Sequence, residues 1–251
     1  MTDTPPWRLD GRMVVVTGAA GGLGASVADT VEALGGVAVR LDVDGAGCLP
    51  CDVTSVIDWE GVVSGLQATH GHVDGLVTCA GTTWRARASE LGADDLRRVL
   101  DVNVVGTHQA VQSLLPLMDA GSSIVMIGSL AGRTGHYPTA YTASKWAVRG
   151  LAHSTALDLG PRGIRVNVVH PGFVETPMTL SAPAAFRESS LKATTLGRVA
   201  EPPDVAQVVC FLLGEGSRHV HGAEIDVDGG AASQAGAKPV ADALPTSVPN
   251  D

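Results

Sequence analysis

The chain has 251 residues, which suits one α/β domain with a sizeable core, and its mix of 45% hydrophobic, 4% aromatic and 17% charged residues fits buried parallel strands between close-packed helices. The formal net charge of −9, with neither a basic stripe nor a Lys/Arg cluster, argues against nucleic acid and anionic membrane surfaces as partners. The polar start from Met1 to Arg12 lacks the order of a secretory signal, and the uncharged run Met13 to Ala28 is broken by glycines and is no membrane span, so a cytoplasmic location is expected.

Met13 to Thr17 is a short apolar run, a buried strand by its length and flanks. It leads into Gly18-Ala-Ala-Gly21-Gly22-Leu23-Gly24 and then a helical pattern that places Val27, Ala28, Val31 and Leu34 inward and stops at Gly35-Gly36. Strand, glycine turn and helix together make a dinucleotide cradle, because glycine permits positive φ and lets backbone amides and a helix N-terminus approach a pyrophosphate. Val37 to Leu41 reads as a second strand ending at Asp42, about twenty residues past the glycines, where a carboxylate accepts hydrogen bonds from ribose hydroxyls and repels a 2′-phosphate. Arg40 falls on the same side but further from the strand's carboxyl end, and the glycine turn contains no basic residue, so NAD is expected over NADP.

Cys51-Asp52-Val53 reads as the end of a third strand and Ser55 to His70 as a helix. Asp74 to Thr78 forms a fourth strand, followed by the small residues Cys79-Ala80-Gly81 at a carboxyl end, where ligands bind in open α/β sheets. Two helices broken near Asp101-Val-Asn103 fill Leu91 to Met118, and a fifth strand from Ser122 ends at Gly128-Ser129. A long helix starting near Tyr141 closes at Gly160-Pro161. Ile164 to Val169 is a sixth strand, His170-Pro171-Gly172 a turn, Pro202 to Leu213 a helix and Glu224 to Val227 a last strand. This alternation predicts a single-domain Rossmann fold, a doubly wound parallel sheet of about seven strands with helices on both faces. The domain is expected over residues 1–235, with 236–251 as a mobile tail of Ala, Ser, Pro, Gly and Asp. The four cysteines read as free thiols, the Cys48-Leu-Pro-Cys51 spacing included, and no metal cluster is visible.

Tyr141 and Lys145 are four apart and share a helix face. A phenol with an ordinary pKa near ~10 is a poor proton carrier at neutrality, and an ammonium roughly 4–6 Å away favours the phenolate, each unit of lowering needing about 1.4 kcal/mol. The pair therefore reads as proton-transfer machinery.

Thr17-Gly18-x-x-x-Gly22-Leu23-Gly24, Asp52-Val53, Asn103, Ser129, Tyr141-x-x-x-Lys145 and Pro171-Gly172-Phe173-Val174-Glu175-Thr176 together, in this order, resemble the short-chain dehydrogenase/reductase family over residues 8 to 230. The stretches from Tyr141 to Leu151 and from Arg165 to Gly172 are similar to bacterial hydroxysteroid and related secondary-alcohol dehydrogenases. The resemblance implies Tyr141 as the catalytic acid/base and Lys145 as the group that lowers its pKa and binds the nicotinamide ribose. It also implies Ser129 on the substrate oxygen, and Asn103 in a water relay. Gly18, Gly21, Gly22, Leu23 and Gly24 would hold the pyrophosphate, Asp42 the ribose, and Asp52 and Val53 the adenine. Ala80, Gly81, Pro171 and Gly172 would line the cofactor site, with Val174 and Thr176 at the carboxamide. Residues 173–200 take the lid position, and a homotetramer or homodimer is implied, with the Val104 to Met118 and Ala143 to Leu159 helices as contacts.

Two features depart from the family pattern. Thr78-Cys79-Ala80-Gly81 stands where the family has Asn-Asn-Ala-Gly, and Asp42 and Asp52 are only ten apart, leaving no room for the usual helix between strands two and three. Phe173, Met178, Leu180, Phe186, Trp84 and Tyr137 are expected to make an apolar substrate pocket, while His136 and His170 read as loop and turn residues and Arg85 and Arg87 as solvated. The expected activity is NAD-dependent interconversion of a small-molecule secondary alcohol and a ketone, hydrophobic or alicyclic, hydroxysteroids included. Alternatives are a 3-oxoacyl thioester reductase and a non-catalytic dinucleotide-binding regulator.

Overall fold

The computed structural model describes residues 7–244. In chain order the elements are β1 (Met13–Thr17), α1 (Gly22–Ala33), β2 (Val37–Asp42), β3 (Leu49–Pro50), α2 (Val56–Thr69), β4 (Gly75–Thr78), α3 (Ala93–Leu100), α4 (Gly106–Leu114), β5 (Ser123–Ile127), α5 (Thr139–Leu159), β6 (Arg165–Pro171), α6 (Pro177–Leu180), α7 (Ala184–Ala193), α8 (Pro202–Leu213), β7 (Glu224–Val227) and α9 (Lys238–Ala243). The seven strands form one parallel sheet in the order β3-β2-β1-β4-β5-β6-β7. The expected doubly wound architecture is therefore met.

The sheet divides the apolar side chains into two cores. On one face Val15, Leu76, Ile124, Met126, Val166 and Val168 meet residues of α2, α4 and α5, among them Trp59, Leu114 and Val148. On the other, Val14, Val16, Val77, Val125 and Val169 meet Val27 and Val31 of α1 and Val205, Val209 and Leu213 of α8. Side chains on a strand point alternately to opposite faces, so runs such as Met13–Thr17 that are buried throughout belong to a sheet covered on both sides. Strand order reverses direction at β1 and β4, and a ligand crevice opens outside the carboxyl ends of strands at such a switch point.

Three local outcomes differ from the sequence reading. The third strand is Leu49–Pro50, not the segment ending at Val53; residues 43–48 cross from β2 without a helix, and Gly45 and Gly47 take positive φ in that turn. Six residues are fewer than a parallel crossover ordinarily needs, and a pairing of only Leu41–Leu49 and Asp42–Pro50 is what they can reach. The expected break near Asp101-Val-Asn103 is a π-helical stretch, Asp101–Val105, that carries α3 directly into α4. In the expected tail, Lys238–Ala243 is helical, with Gln234 Oε1 accepting from the Lys238 amide and Lys238 paired with Asp242; residues 245–251 lie outside the described part.

Candidate active site

The carboxyl end of β1 runs into the glycine turn, and its geometry explains the glycines. Gly18 has φ +67°, and a Cβ on it would stand 2.7 Å from Ala80 Cα; a Cβ on Gly24 would overlap Gly18 O and stand 2.7 Å from Gly18 C. Gly21 caps α1 without a side-chain hydrogen bond, and the first turn of α1 contains no acidic residue, so the amides and the positive end of the helix dipole remain open to an anion. Thr17 Oγ1 accepts from the Ala80 amide at 3.1 Å, tying β1 to the loop after β4. Asp42 Oδ2 accepts from the Ala20 amide at 2.9 Å and its Oδ1 from Val43, which fixes its carboxylate at the edge of the turn. Arg40 is drawn away to Asp29 and Glu32 of α1.

These residues line a cleft of about 550 Å³. All of the sequence-derived candidates except Asn103 border it: Gly18, Gly21, Gly22, Leu23 and Gly24 from the turn, Asp42, Asp52 and Val53 at one end, Ala80 and Gly81 along the wall, and Ser129, Tyr141, Lys145, Pro171, Gly172, Val174 and Thr176 at the other. A mononucleotide pair joined by pyrophosphate fits this arrangement on the structure's own terms: a glycine-only approach at the helix N-terminus, a carboxylate where a ribose would lie, and a proton-carrying group at the far end. The thiol of Cys79 borders the cleft as well, and burial pushes it up to about 12, so it is a neutral wall residue and no nucleophile.

Asn103 is buried behind the cleft wall. Its Oδ1 accepts from the Thr82 amide at 2.8 Å, and its Nδ2 donates to Thr82 O at 3.0 Å and to Ser144 Oγ at 2.9 Å. Ser144 in turn donates to Tyr141 O at 2.7 Å. The π-turn thus aims one amide at both the loop after β4 and the first turn of α5.

Tyr141 and Lys145 do share the inner face of α5. Lys145 Nζ donates to Ile127 O at 2.8 Å and lies over the Tyr141 ring, 5.7 Å from its centroid. Their electrostatics differ from the sequence expectation. Burial pushes the Tyr141 phenol above its ordinary value, the Ser129 hydroxyl works the other way, and burial lowers Lys145 to about 8. Desolvation dominates because Lys145 is buried and Tyr141 is packed into the cleft wall, and the ammonium is engaged by a carbonyl and the ring face. At neutral pH the pair is phenol and ammonium, a proton-donating state.

The Lys145 shift makes a stability prediction. Its folded pKa lies below its unfolded one, so the cost of the buried charge is full below pH about 8 and is relieved as the pH rises towards 10.5, where the unfolded chain also loses the proton. Lys145→Met should therefore be more stable than the parent at pH 7, by about 1–2 kcal/mol after allowing for the orphaned Ile127 carbonyl. That advantage should shrink between pH 8 and 10.5 in paired urea titrations.

A second cavity, of about 260 Å³, meets the cleft at Ser129, Tyr141, Gly172, Met178 and Thr179. Tyr137, Phe173, Met178 and Phe186 line it as expected, and the Phe186 ring packs edge-on or tilted against His136, Tyr137 and Phe173. Trp84 and Leu180 do not: Leu180 is 77% exposed, and Trp84 is 42% exposed beneath the Arg98 guanidinium. Arg85 is not merely solvated; it donates to Met178 O at 2.7 Å and to Ser181 Oγ at 3.1 Å, linking the loop after β4 to α6. Two features escaped the sequence reading. Thr179 sits on both cavities and staples the start of α6, accepting from the Thr176 amide and donating to Val174 O. His170 is fully buried behind Ser129, and the cue was a lone imidazole in an otherwise apolar strand end.

Comparison with known proteins agrees with this geometry. Residues 11–232 match the family model described as Enoyl-(Acyl carrier protein) reductase, adh_short_C2. The chain belongs to the short-chain dehydrogenase/reductase family. It is 37% identical over 239 residues, 89% of this chain and 90% of the relative, to 3-alpha-(or 20-beta)-hydroxysteroid dehydrogenase of Mycobacterium tuberculosis H37Rv. It is 33% identical over 247 residues, 89% and 93% of the two chains, to trans-4-hydroxycyclohexanecarboxylate dehydrogenase of Sinomonas cyclohexanicum. Among solved structures, a dehydrogenase/reductase from Sinorhizobium meliloti 1021 superposes with a TM-score of 0.85 at 30% identity, covering 90% of this chain and 97% of that one. The two curated relatives are named as dehydrogenases of a hydroxysteroid and of a hydroxycyclohexanecarboxylate, and this family member is an oxidoreductase that acts on CH–OH groups with a nicotinamide dinucleotide. Among the described residues, no helix is long and apolar enough to cross a membrane.

Proposed function

We propose that the chain is an NAD-dependent dehydrogenase interconverting a hydrophobic, alicyclic secondary alcohol and its ketone. One observation carries this reading: the long cleft with the glycine cradle and the smaller apolar cavity meet at Tyr141 and Ser129, so a bound dinucleotide and a bound alcohol would share those two hydroxyls.

The dinucleotide, held by the glycine turn, Asp42 and the residues around Pro171 to Thr176, supplies the hydride acceptor when bound. Tyr141 takes the proton of the substrate hydroxyl in oxidation and returns it in reduction. Ser129 Oγ already accepts from the Ala131 amide at 3.1 Å, and its single O–H, which faces Tyr141, would turn to the substrate oxygen placed between the two hydroxyls. Lys145, fixed by Ile127 O, keeps positive charge beside the phenol as it ionises. Asn103 serves as a clamp on Thr82 and Ser144. Both of its amide hydrogens are engaged there and its Oδ1 holds the Thr82 amide, which supports the clamp role.

Asp42 supports NAD over NADP, since Arg40 is spent on Asp29 and Glu32 and no other base stands in the turn. The same feature favours this reading over a thioester reductase selecting NADPH. NADH should bind more tightly than NADPH in a fluorescence titration by about tenfold or more, each decade being about 1.4 kcal/mol, and Asp42→Ala should narrow the gap. Tighter NADPH binding in the parent would overturn the assignment. Exposed Val105, Trp146 and Leu157 on or beside α4 and α5 support a homo-oligomer built on those helices.

A further inference from the structure

We propose that His170 is a positioning residue that holds Ser129 in its working geometry by accepting the Ser129 backbone N–H; this rests on the reading of Ser129 as the group that binds the substrate oxygen. The last residues of β6 bring the imidazole directly under the Gly128–Ser129 peptide. A Cβ on Gly128 would overlap His170 Nδ1 and stand 2.7 Å from Cε1, so the glycine exists to admit the ring. The Ser129 N–H finds its acceptor in His170 Nδ1 at 3.2 Å. Nδ1 also stands 3.1 Å from Ser129 O, but that carbonyl already receives the Gly132 amide at 2.8 Å, whereas the N–H has no such alternative.

The other ring nitrogen decides the tautomer. Nε2 is buried without a hydrogen-bond partner at ordinary distance and faces Glu224 Oε2 at 3.5 Å. A lone pair on Nε2 would oppose a carboxylate there, so Nε2 carries the proton and Nδ1 is the acceptor. Glu224 is kept anionic: burial works upward, but Arg149, His153 and Arg133 outweigh it and hold the carboxyl at about 2. Burial also lowers the His170 pKa and Arg133 adds to the lowering, against the nearby Ser129 carbonyl, Glu224 and Asp226, and the net lowering keeps the ring neutral and able to accept. The chain of contacts runs from Arg133 and Arg149 through Glu224 and His170 to the amide of Ser129, whose extended φ of −174° sets the direction of Oγ towards the cavity junction. Misplacement of a reacting group by about an ångström costs on the order of a hundredfold in rate.

The test is a set of single and double variants assayed for kcat, KM, NADH affinity and thermal stability with whichever secondary alcohol the parent turns over. His170→Leu should lower kcat by about ten- to a hundredfold with NADH affinity unchanged. In a Ser129→Ala background it should add less than about threefold, because the two act as one unit. His170→Asn, whose Oδ1 takes the place of Nδ1, should restore kcat to within about threefold, whereas His170→Gln, which presents its amide at the Nε2 end, should not. The Asn–Gln contrast stands even if the Leu variant fails to fold. Equal losses from His170→Leu in the parent and in Ser129→Ala, parent-like kcat in His170→Leu, or no difference between folded Asn and Gln variants would each overturn the proposal. Full turnover in Ser129→Ala alone would instead remove the assigned role of Ser129.

Discussion

Replacing Tyr141 by Phe should reduce kcat by about a thousandfold while NADH affinity stays within about twofold of the parent. The ring keeps its place on the inner face of α5, so the packing under Lys145 and the shape of both cavities survive, and only the phenolic oxygen at their junction is lost. General acid–base groups typically contribute factors of about a hundred to ten thousand. Steady-state kinetics with a fluorescence titration of NADH on the same preparation checks both halves. Retained turnover would remove Tyr141 from the acid/base role; lost NADH binding would show that the variant had disturbed the cleft instead.

Gly24→Ala should lower stability by about 3 kcal/mol, a fall in Tm on the order of 10 °C, and should weaken dinucleotide binding as well. The added carbon would overlap the carbonyl of Gly18, a backbone atom that cannot rotate away, in a turn already pinned by Thr17 on one side and Asp42 on the other. Gly21→Ala is the internal control: a Cβ there meets nothing within 4 Å and its φ of −167° suits any residue, so its Tm should stay close to that of the parent. Equal behaviour of the two variants in thermal melts would show that close packing does not explain the glycines of the turn.

Most strands were legible because they are short apolar runs bounded by turn residues in a sheet covered on both faces, whereas the third, Leu49–Pro50, is two exposed residues paired at the sheet edge and carries no such pattern. The candidate cleft was legible for a related reason: its walls are made by glycines and strand ends whose spacing survives in the linear chain. What escaped depends on contacts that no spacing records. Whether Asp101–Val105 breaks or widens a helix is settled by what packs against it, notably the Asn103 amide reaching Thr82 and Ser144. Trp84 and Leu180 are apolar enough for a pocket, yet the loops that carry them turn their side chains outward. The Tyr141–Lys145 spacing gave the shared face correctly, but the sign of the Tyr141 shift is set by burial, which outweighs the hydrogen bond from Ser129 and which no spacing records. His170 read as a turn residue because a Pro-Gly follows it, whereas the ring points back under Ser129.

The most direct test is the oxidation of cyclic secondary alcohols by NAD, with each alcohol compared with its form deuterated at the carbinol carbon. Hydride leaving that carbon while Tyr141 accepts the hydroxyl proton predicts NADH formation from at least one hydrophobic ring alcohol. It also predicts a slower rate for the deuterated form when transfer is measured in a single turnover, and little or no NADH from the Tyr141→Phe protein. NADH that binds in the cleft but is never formed from any secondary alcohol, nor consumed with any ketone, would contradict the assignment of this site to hydride transfer.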